Sequence, residues 1–340
     1  MAPDTVRVLS TMAFPVEWLD RLRAISPRLV VAQQTAAAAA ELPDDVWART
    51  DVLYTGSAFP EIGRAPRLRW VQLDTSGVDH VRDTALWESD VEITTLNGVA
   101  PSNMAEFAAM MMLAFGHHLR PMIEHQQRRE WPTFADRWDR FMPSELRGAT
   151  VGVVGYGSIG REIGRVAHAL GMRVLAMRRT GATARDTFRI APLAAAVDPE
   201  PDRVYLPGGL AEMLPACDYV VLIVPSTPET RHLIDETALR AMKPTAVLIN
   251  IARGGVVEEG ALVRALTEGW IAGAALDVFE DEPLPADHPL WGMANVIISP
   301  HVAGFTPHYH ERVMGIFAAN LRRFLDGQPL LNRVDRECGY

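Results

Sequence analysis

Three short stretches place reactive side chains just past apolar runs. "LINIARGGVVEEGAL" sets Arg253 in a glycine-flanked turn, "AALDVFEDEPL" sets Asp277 at the end of a run with Glu282 five residues on, and "VIISPHVAGFT" sets His301 beside Pro300. These residue types suit proton transfer on an anionic molecule. A guanidinium matches a carboxylate with two parallel hydrogen bonds, and an imidazole exchanges a proton near neutral pH. Taken singly, each has an ordinary explanation: a structural histidine, a solvated loop charge, an ion-pair partner. Together, at three strand ends of one sheet, they fit a reaction site better.

A fourth stretch, "VGVVGYGSIGREIG", contains Gly155-x-Gly157-x-x-Gly160. It follows an apolar run and opens a periodic helical pattern, which is the context a dinucleotide-binding turn requires. Gly155 permits the tight turn, Gly157 lets backbone approach a pyrophosphate, and Gly160 lets helix pack on strand. The phosphates of such a ligand lie at a helix N-terminus, where free N–H groups favour negative charge. The next apolar run ends at Met177, so Arg178 stands 18 residues beyond Gly160. An Asp or Glu at about that spacing holds the ribose 2′-hydroxyl of NAD. Arg178 instead suits a 2′-phosphate, with Arg179 and Thr180 as further donors. The expected cofactor is therefore NADP(H) in preference to NAD(H). The plain alternative is two solvated arginines at a loop start.

The elements that must carry these residues alternate. Runs at 6–10, 29–31, 51–56, 69–74 and 91–97 read as strands, with helical patterns such as "VEWLDRLRAI" between the first of them. A long helical stretch runs from Pro101 to Arg129, where proline at a first helical position suits its missing N–H. The alternation resumes at 150–157, 173–177, 219–225, 246–252 and 271–279 in runs apolar throughout, as in strands covered on both faces. In "SIGREIGRVAHAL", Ile159, Ile163, Val166 and Leu170 share one helical face. Residues 181–208, with four prolines, read as a long loop. A final helix has Thr306 as its expected N-cap, Val313, Phe317, Leu321 and Phe324 as its buried stripe, and Gly327 as its stop. This pattern predicts an α/β fold class: two Rossmann-like or flavodoxin-like parallel-sheet domains, with the active site expected in the cleft between them.

Composition narrows the function. The chain has 340 residues, enough for two domains, with 48% hydrophobic and 22% charged residues. A net charge of −9 argues against nucleic acid or an anionic membrane as the main partner. The most apolar stretch, "MAEFAAMMMLAFG", is too short to span a bilayer and carries Glu106. No apolar leader opens the sequence. Cys217 and Cys338 show no framework spacing, which suits a reducing compartment, so a cytoplasmic location is expected. The histidine pairs at 117–118 and 308–310 lack a metal-ligand pattern, and no metal is expected.

The chain resembles the D-isomer-specific 2-hydroxyacid dehydrogenases over nearly its whole length. The resemblance is carried by "VGVVGYGSIGREIG", "LIVPSTPETRHLID", "MKPTAVLINIARGGVVEEGAL", "GAALDVFEDEPL" and "ISPHVAGFT". It implies that Arg253 binds the substrate carboxylate, that Glu282 pairs with His301, and that His301 is the acid/base. It implies that Asp277 faces the nicotinamide carboxamide. The cofactor surface it implies takes in Gly155, Tyr156, Gly157, Ser158, Ile159, Gly160, Val224, Pro225, Thr230, Ile251, Ala252, Asp277 and Gly304, to which the spacing argument adds Arg178, Arg179 and Thr180. "TSGVDH" resembles the family's substrate loop, with Ser76, Gly77 and Val78 offering backbone N–H groups. By the same resemblance, residues 1–100 and 299–340 form the substrate domain and 101–298 the dinucleotide-binding domain. The Met- and aromatic-rich region from Pro101 through "REWPTFADRWDRFMP" is expected to build a homodimer; an internal contact is its alternative. Trp131, Trp138 and Phe305 are candidates to line the substrate pocket.

The implied activity is NAD(P)H-dependent reduction of a small 2-oxo acid, with glyoxylate or hydroxypyruvate foremost and phosphoglycerate dehydrogenase the nearest rival. From another class, a dinucleotide-sensing co-repressor-like protein would keep much of the same site. Adenosylhomocysteine hydrolase shares the glycine turn but not the "SPH" and "DVFEDEP" segments. The chain departs from the family pattern at Arg178, at Ser226 and in the length of 181–208.

Overall fold

The computed structural model describes residues 5–180, 188–190 and 200–339. Its strands are β1 (Val6–Ser10), β2 (Leu29–Gln33), β3 (Val52–Thr55), β4 (Trp70–Leu73), β5 (Glu92–Thr94), β6 (Thr150–Val154), β7 (Arg173–Met177), β8 (Arg203–Tyr205), β9 (Tyr219–Leu222), β10 (Val247–Asn250), β11 (Gly273–Leu276) and β12 (Val296–Ile298). Its α-helices are α1 (Val16–Arg23), α2 (Asp44–Ala48), α3 (Pro101–Gly116), α4 (Leu119–Arg128), α5 (Phe134–Phe141), α6 (Ser158–Ala169), α7 (Leu210–Met213), α8 (Glu236–Ala241), α9 (Glu259–Glu268) and α10 (Tyr309–Leu325). These form two compact units: 5–99 with 188–190 and 307–339, and 100–180 with 200–306.

The first unit is a five-stranded parallel sheet in the order β2-β1-β3-β4-β5, the flavodoxin-like arrangement. Side chains of β3 alternate, Val52 and Tyr54 joining α1 and α10 on one face and Leu53 joining α2 on the other. α10 buries Val313, Phe317 and Leu321, and Gly327 stops it at φ +64°. Thr306 is not its cap, because the helix begins at Tyr309 with His308 in the capping position.

The second unit is a seven-stranded parallel sheet in the order β12-β11-β10-β9-β6-β7-β8, the doubly wound arrangement. Val151, Val174, Val221 and Ile249 pack under α3 and α6, while Leu175, Val220, Leu248 and Leu276 pack under α8 and α9. This alternation onto two covered faces explains why the runs are apolar at every position. Each fully buried aliphatic side chain stabilises the unit by about 1.5–3 kcal/mol. Cys217 belongs to this packing: a methyl on Gly152 would lie 2.5 Å from its sulfur. Burial pushes its thiol up to about 12, far from a reactive thiolate.

The structure differs from the sequence expectation in two places here. The helix expected over 101–129 breaks after Gly116. His118 takes φ +53°, which a right-handed helix cannot continue, and the returning chain donates from Ser144 N to Gly116 O at 2.9 Å. In the stretch read as loop, Arg203–Tyr205 forms β8, paired in parallel with β7. The rest of that stretch lies largely outside the described residues. Among the described residues no helix is long and apolar enough to cross a membrane.

Candidate active site

Strand register sets the site. Tyr205, Met177, Val154, Leu222, Asn250, Leu276 and Ile298 form one continuous row across all seven strands of the second unit. Gly155, Arg178, Arg253, Asp277 and His301 all follow within three residues of that row, at the carboxyl edge where open α/β sheets bind ligands.

The three glycines of the turn answer to three different constraints. Gly155 has φ +101°, and a methyl there would meet Ile223 O at 2.5 Å. A methyl on Gly160 would meet Gly155 O at 2.1 Å, so this glycine lets α6 pack on β6. A methyl on Gly157 would meet nothing among the described residues within 4 Å. Its bareness therefore serves something other than packing, and a pyrophosphate at the N-terminus of α6 fits it. Ser158 and Ile159 open that helix, both half-buried. Tyr156 points the other way: its ring is buried in the core, where a methyl on Gly164 would lie 2.2 Å from its hydroxyl.

His301 and Glu282 come together. His301 Nδ1 lies 2.7 Å from Glu282 Oε2, and Glu282 Oε1 accepts from Phe279 N at 3.0 Å. The histidine side chain is 50% exposed, so its outer edge is open to a reactant. Its backbone has φ +54°, a left-handed conformation held by His301 N donating to Asp277 O at 2.9 Å. Asp277 holds the rest of that loop. Its buried carboxylate accepts from Ser299 Oγ at 2.6 Å and from Val302 N and Ala303 N at 2.9 Å each. Both oxygens thus organise the His301 loop, a role not visible in the sequence. Asn103 adds a second hold, donating to Ala303 O and Phe305 O at 3.1 Å.

Arg253 is half-buried in a turn closed by Asn250, whose side chain donates to Arg253 O at 3.0 Å and accepts from Ala252 N at 3.1 Å. The turn is pressed against the loop carrying Glu282: a methyl on Gly254 would lie 1.9 Å from the Phe279 carbonyl carbon. Ile251 and Ala252 are buried beside it, while Val224 and Pro225 are half-buried beyond β9. The Thr230 hydroxyl closes its own turn, donating to Pro225 O at 2.7 Å and accepting from Thr227 N at 2.8 Å. Arg178 is half-buried, its N–H on Tyr205 O at 3.1 Å, whereas Arg179, Thr180 and Gly304 are exposed. Trp131 (87% exposed), Trp138 and Phe305 are among the most exposed apolar side chains.

In the five-stranded unit, Ser76, Gly77 and Val78 follow β4. Thr75 Oγ1 donates to Gly77 O at 2.7 Å and Leu96 N to Thr75 O at 2.9 Å, and Val78 is buried. None of the three N–H groups donates to another described residue. Just before them, Asp74 Oδ1 accepts from both Tyr54 and Tyr309. Burial raises the Asp74 carboxyl above the ordinary carboxylate range, against the lowering effect of those two bonds, and pushes both phenols up. Among the described residues no group of three or more His, Cys, Asp or Glu could hold a metal ion.

Residues 109–303 match the family model for the NAD binding domain of D-isomer specific 2-hydroxyacid dehydrogenases. The glyoxylate reductase of Thermococcus onnurineus (strain NA1) is 38% identical over 275 residues, covering 80% of this chain and 78% of that protein. The (S)-sulfolactate dehydrogenase of Chromohalobacter salexigens is 39% identical over 267 residues, covering 78% and 80%. Among solved structures, a D-isomer specific 2-hydroxyacid dehydrogenase from Xanthobacter autotrophicus Py2, in complex with NADPH and MES, matches with a TM-score of 0.81 at 28% identity, over 99% of this chain and 100% of that one. The chain belongs to the D-isomer specific 2-hydroxyacid dehydrogenase family. It is an oxidoreductase that uses a nicotinamide dinucleotide.

Proposed function

We propose that the protein reduces a small 2-oxo acid, glyoxylate or hydroxypyruvate, to the D-2-hydroxy acid, with NADP(H) preferred over NAD(H). The observation that carries this reading is the exposed His301 ring seated on Glu282 at 2.7 Å, at the edge of the sheet that bears the glycine turn. The nicotinamide of a dinucleotide whose pyrophosphate is held at that turn would supply the hydride. His301, protonated, gives its proton to the carbonyl oxygen from Nε2, and takes it back in the oxidation. Glu282 supports the imidazolium and fixes the ring, as a carboxylate does behind a catalytic base. Arg253 holds the substrate carboxylate, and Ser76, Gly77 and Val78 are assigned to substrate binding. Asp277 keeps the His301 loop in shape.

On this reading the seven-stranded unit holds the dinucleotide and also carries Arg253, Glu282 and His301. Arg178, with Arg179 and Thr180 beside it, receives the 2′-phosphate. Trp131, Trp138 and Phe305 are assigned to the substrate side. The protein is a homodimer through the region of α3 to α5, where Met110, Met122, Ile123, Phe134 and Trp138 are exposed. Two free cysteines agree with a cytoplasmic location.

The two curated relatives are named for different acids, so the test needs a panel. Glyoxylate, hydroxypyruvate, phosphohydroxypyruvate and sulfopyruvate are each offered with NADPH and with NADH, and cofactor consumption is followed. Glyoxylate or hydroxypyruvate with NADPH is expected to give the highest kcat/KM. A preference for phosphohydroxypyruvate would instead make the protein a phosphoglycerate dehydrogenase. NADPH binding with no turnover of any acid would sink the enzyme reading and leave the dinucleotide-sensing one.

A further inference from the structure

The segment carrying Glu282 is irregular chain, yet it sets Glu282 Oε2 2.7 Å from His301 Nδ1. One side chain outside the segment reaches both of its ends. Glu259, the first residue of α9, accepts from Glu280 N through Oε2 at 3.3 Å and pairs with His288 Nε2 through Oε1 at 3.0 Å. Glu282 lies between these two anchors. Leu290 N donates to His288 Nδ1 at 3.4 Å, which assigns the ring hydrogen of a neutral His288 to Nε2. The pair therefore holds as a hydrogen bond to a carboxylate without requiring a charged histidine. Glu259 and His288 are each only 18% exposed, where water competes little for these bonds. A carboxylate in the first turn of a helix is also favoured by the helix dipole.

Two further contacts tighten the same segment. His232 Nε2 lies 2.8 Å from Glu280 Oε1, and His232 N donates to Gly255 O at 2.8 Å, which ties the segment to the Arg253 turn. The close approach of Gly254 to the Phe279 backbone acts at the same point.

We propose that Glu259 is a positioning residue for the proton-transferring pair: it clamps both ends of the segment 280–288 and so keeps Glu282 Oε2 on His301 Nδ1. This rests on the proposed reading of His301 and Glu282 as that pair. The test uses the full chain with NADPH and glyoxylate, in a cycle of Glu259→Ala, Glu282→Gln and the double variant. Glu259→Ala is expected to lower kcat by about 10- to 100-fold, the size of loss that a misplacement near 1 Å produces, with a smaller change in KM. The alkaline limb of its reduction profile should move to lower pH, because a loosened Glu282 gives the imidazolium less support. Glu259→Gln should recover part of the loss, since its amide oxygen can still accept one of the two donors. In the Glu282→Gln background, removing Glu259 should cost little more, which is the coupling that contact through a shared partner produces. An equal loss with and without Glu282, or an unmoved pH profile, would overturn the proposal. If Glu282→Gln alone kept full kcat, the reading of the pair itself would fall, a result separate from failure of the clamp.

Discussion

Replacing His301 with glutamine is expected to lower kcat for glyoxylate reduction by about 10²- to 10⁴-fold, the range that a positioned acid contributes. Glutamine reaches about as far as histidine and can still hydrogen-bond Glu282, so the loop held by Asp277 should survive. What it cannot do is carry a proton at neutral pH. The loss should therefore fall on kcat, while NADPH affinity, read by fluorescence titration, stays near that of the wild type. The glycine turn that would hold the dinucleotide, at Gly155 to Gly160, belongs to a different loop from His301. A variant with full turnover would remove His301 from the chemistry.

Replacing Arg178 with aspartate is expected to reverse the cofactor preference. A hydrogen bond to a charged group contributes about 1.5–3 kcal/mol, and each 1.4 kcal/mol is about tenfold. Loss of the guanidinium, with a carboxylate now facing the 2′-phosphate, should therefore lower kcat/KM for NADPH by at least about 10- to 100-fold. NADH should gain or hold, since a carboxylate can accept from the free 2′-hydroxyl. The position suits the role. Arg178 directly follows β7 in the aligned row, and its backbone is fixed on β8 through Tyr205 O. The check is the ratio of kcat/KM for the two cofactors with one 2-oxo acid. An unchanged ratio would return Arg178 to the status of a loop arginine.

Much of the architecture was legible because burial on two faces leaves a plain trace. Strands such as β6, β7, β9 and β10 must be apolar at both parities, and their runs stand out in the sequence. The glycine turn was legible because its glycines are demanded by backbone approach, not by side-chain chemistry. What did not show has physical reasons as well. β8 is three residues long, begins with an arginine and lies among prolines, so no periodicity could reveal it. The break between α3 and α4 falls at His118, whose left-handed backbone local propensity does not foresee, and Gly116 O there accepts from Ser144 N, 28 positions beyond the helix end. Thr306 had the chemistry of an N-cap, but the helix starts three residues later.

The candidate site divides the same way. His301 and Glu282, 19 residues apart in sequence, stand in contact because β11 and β12 are neighbours in register. Asp277 was expected to face a ligand, yet its oxygens are turned onto the loop of His301. Tyr156 lies within the fingerprint, but its ring fills the space that Gly164 leaves. Asn250, Asn103 and Glu259 leave no mark in the sequence, because a side chain that shapes a loop through backbone groups has no motif of its own.

The most direct measurement is the pH dependence of kcat/KM for reduction, taken for the wild type and for Glu282→Gln under identical conditions. If a carboxylate-supported imidazolium delivers the proton, the wild-type rate falls toward alkaline pH and the variant falls at lower pH. Two superimposable profiles, or rates that ignore pH across the neutral range, would show that the proton comes from elsewhere.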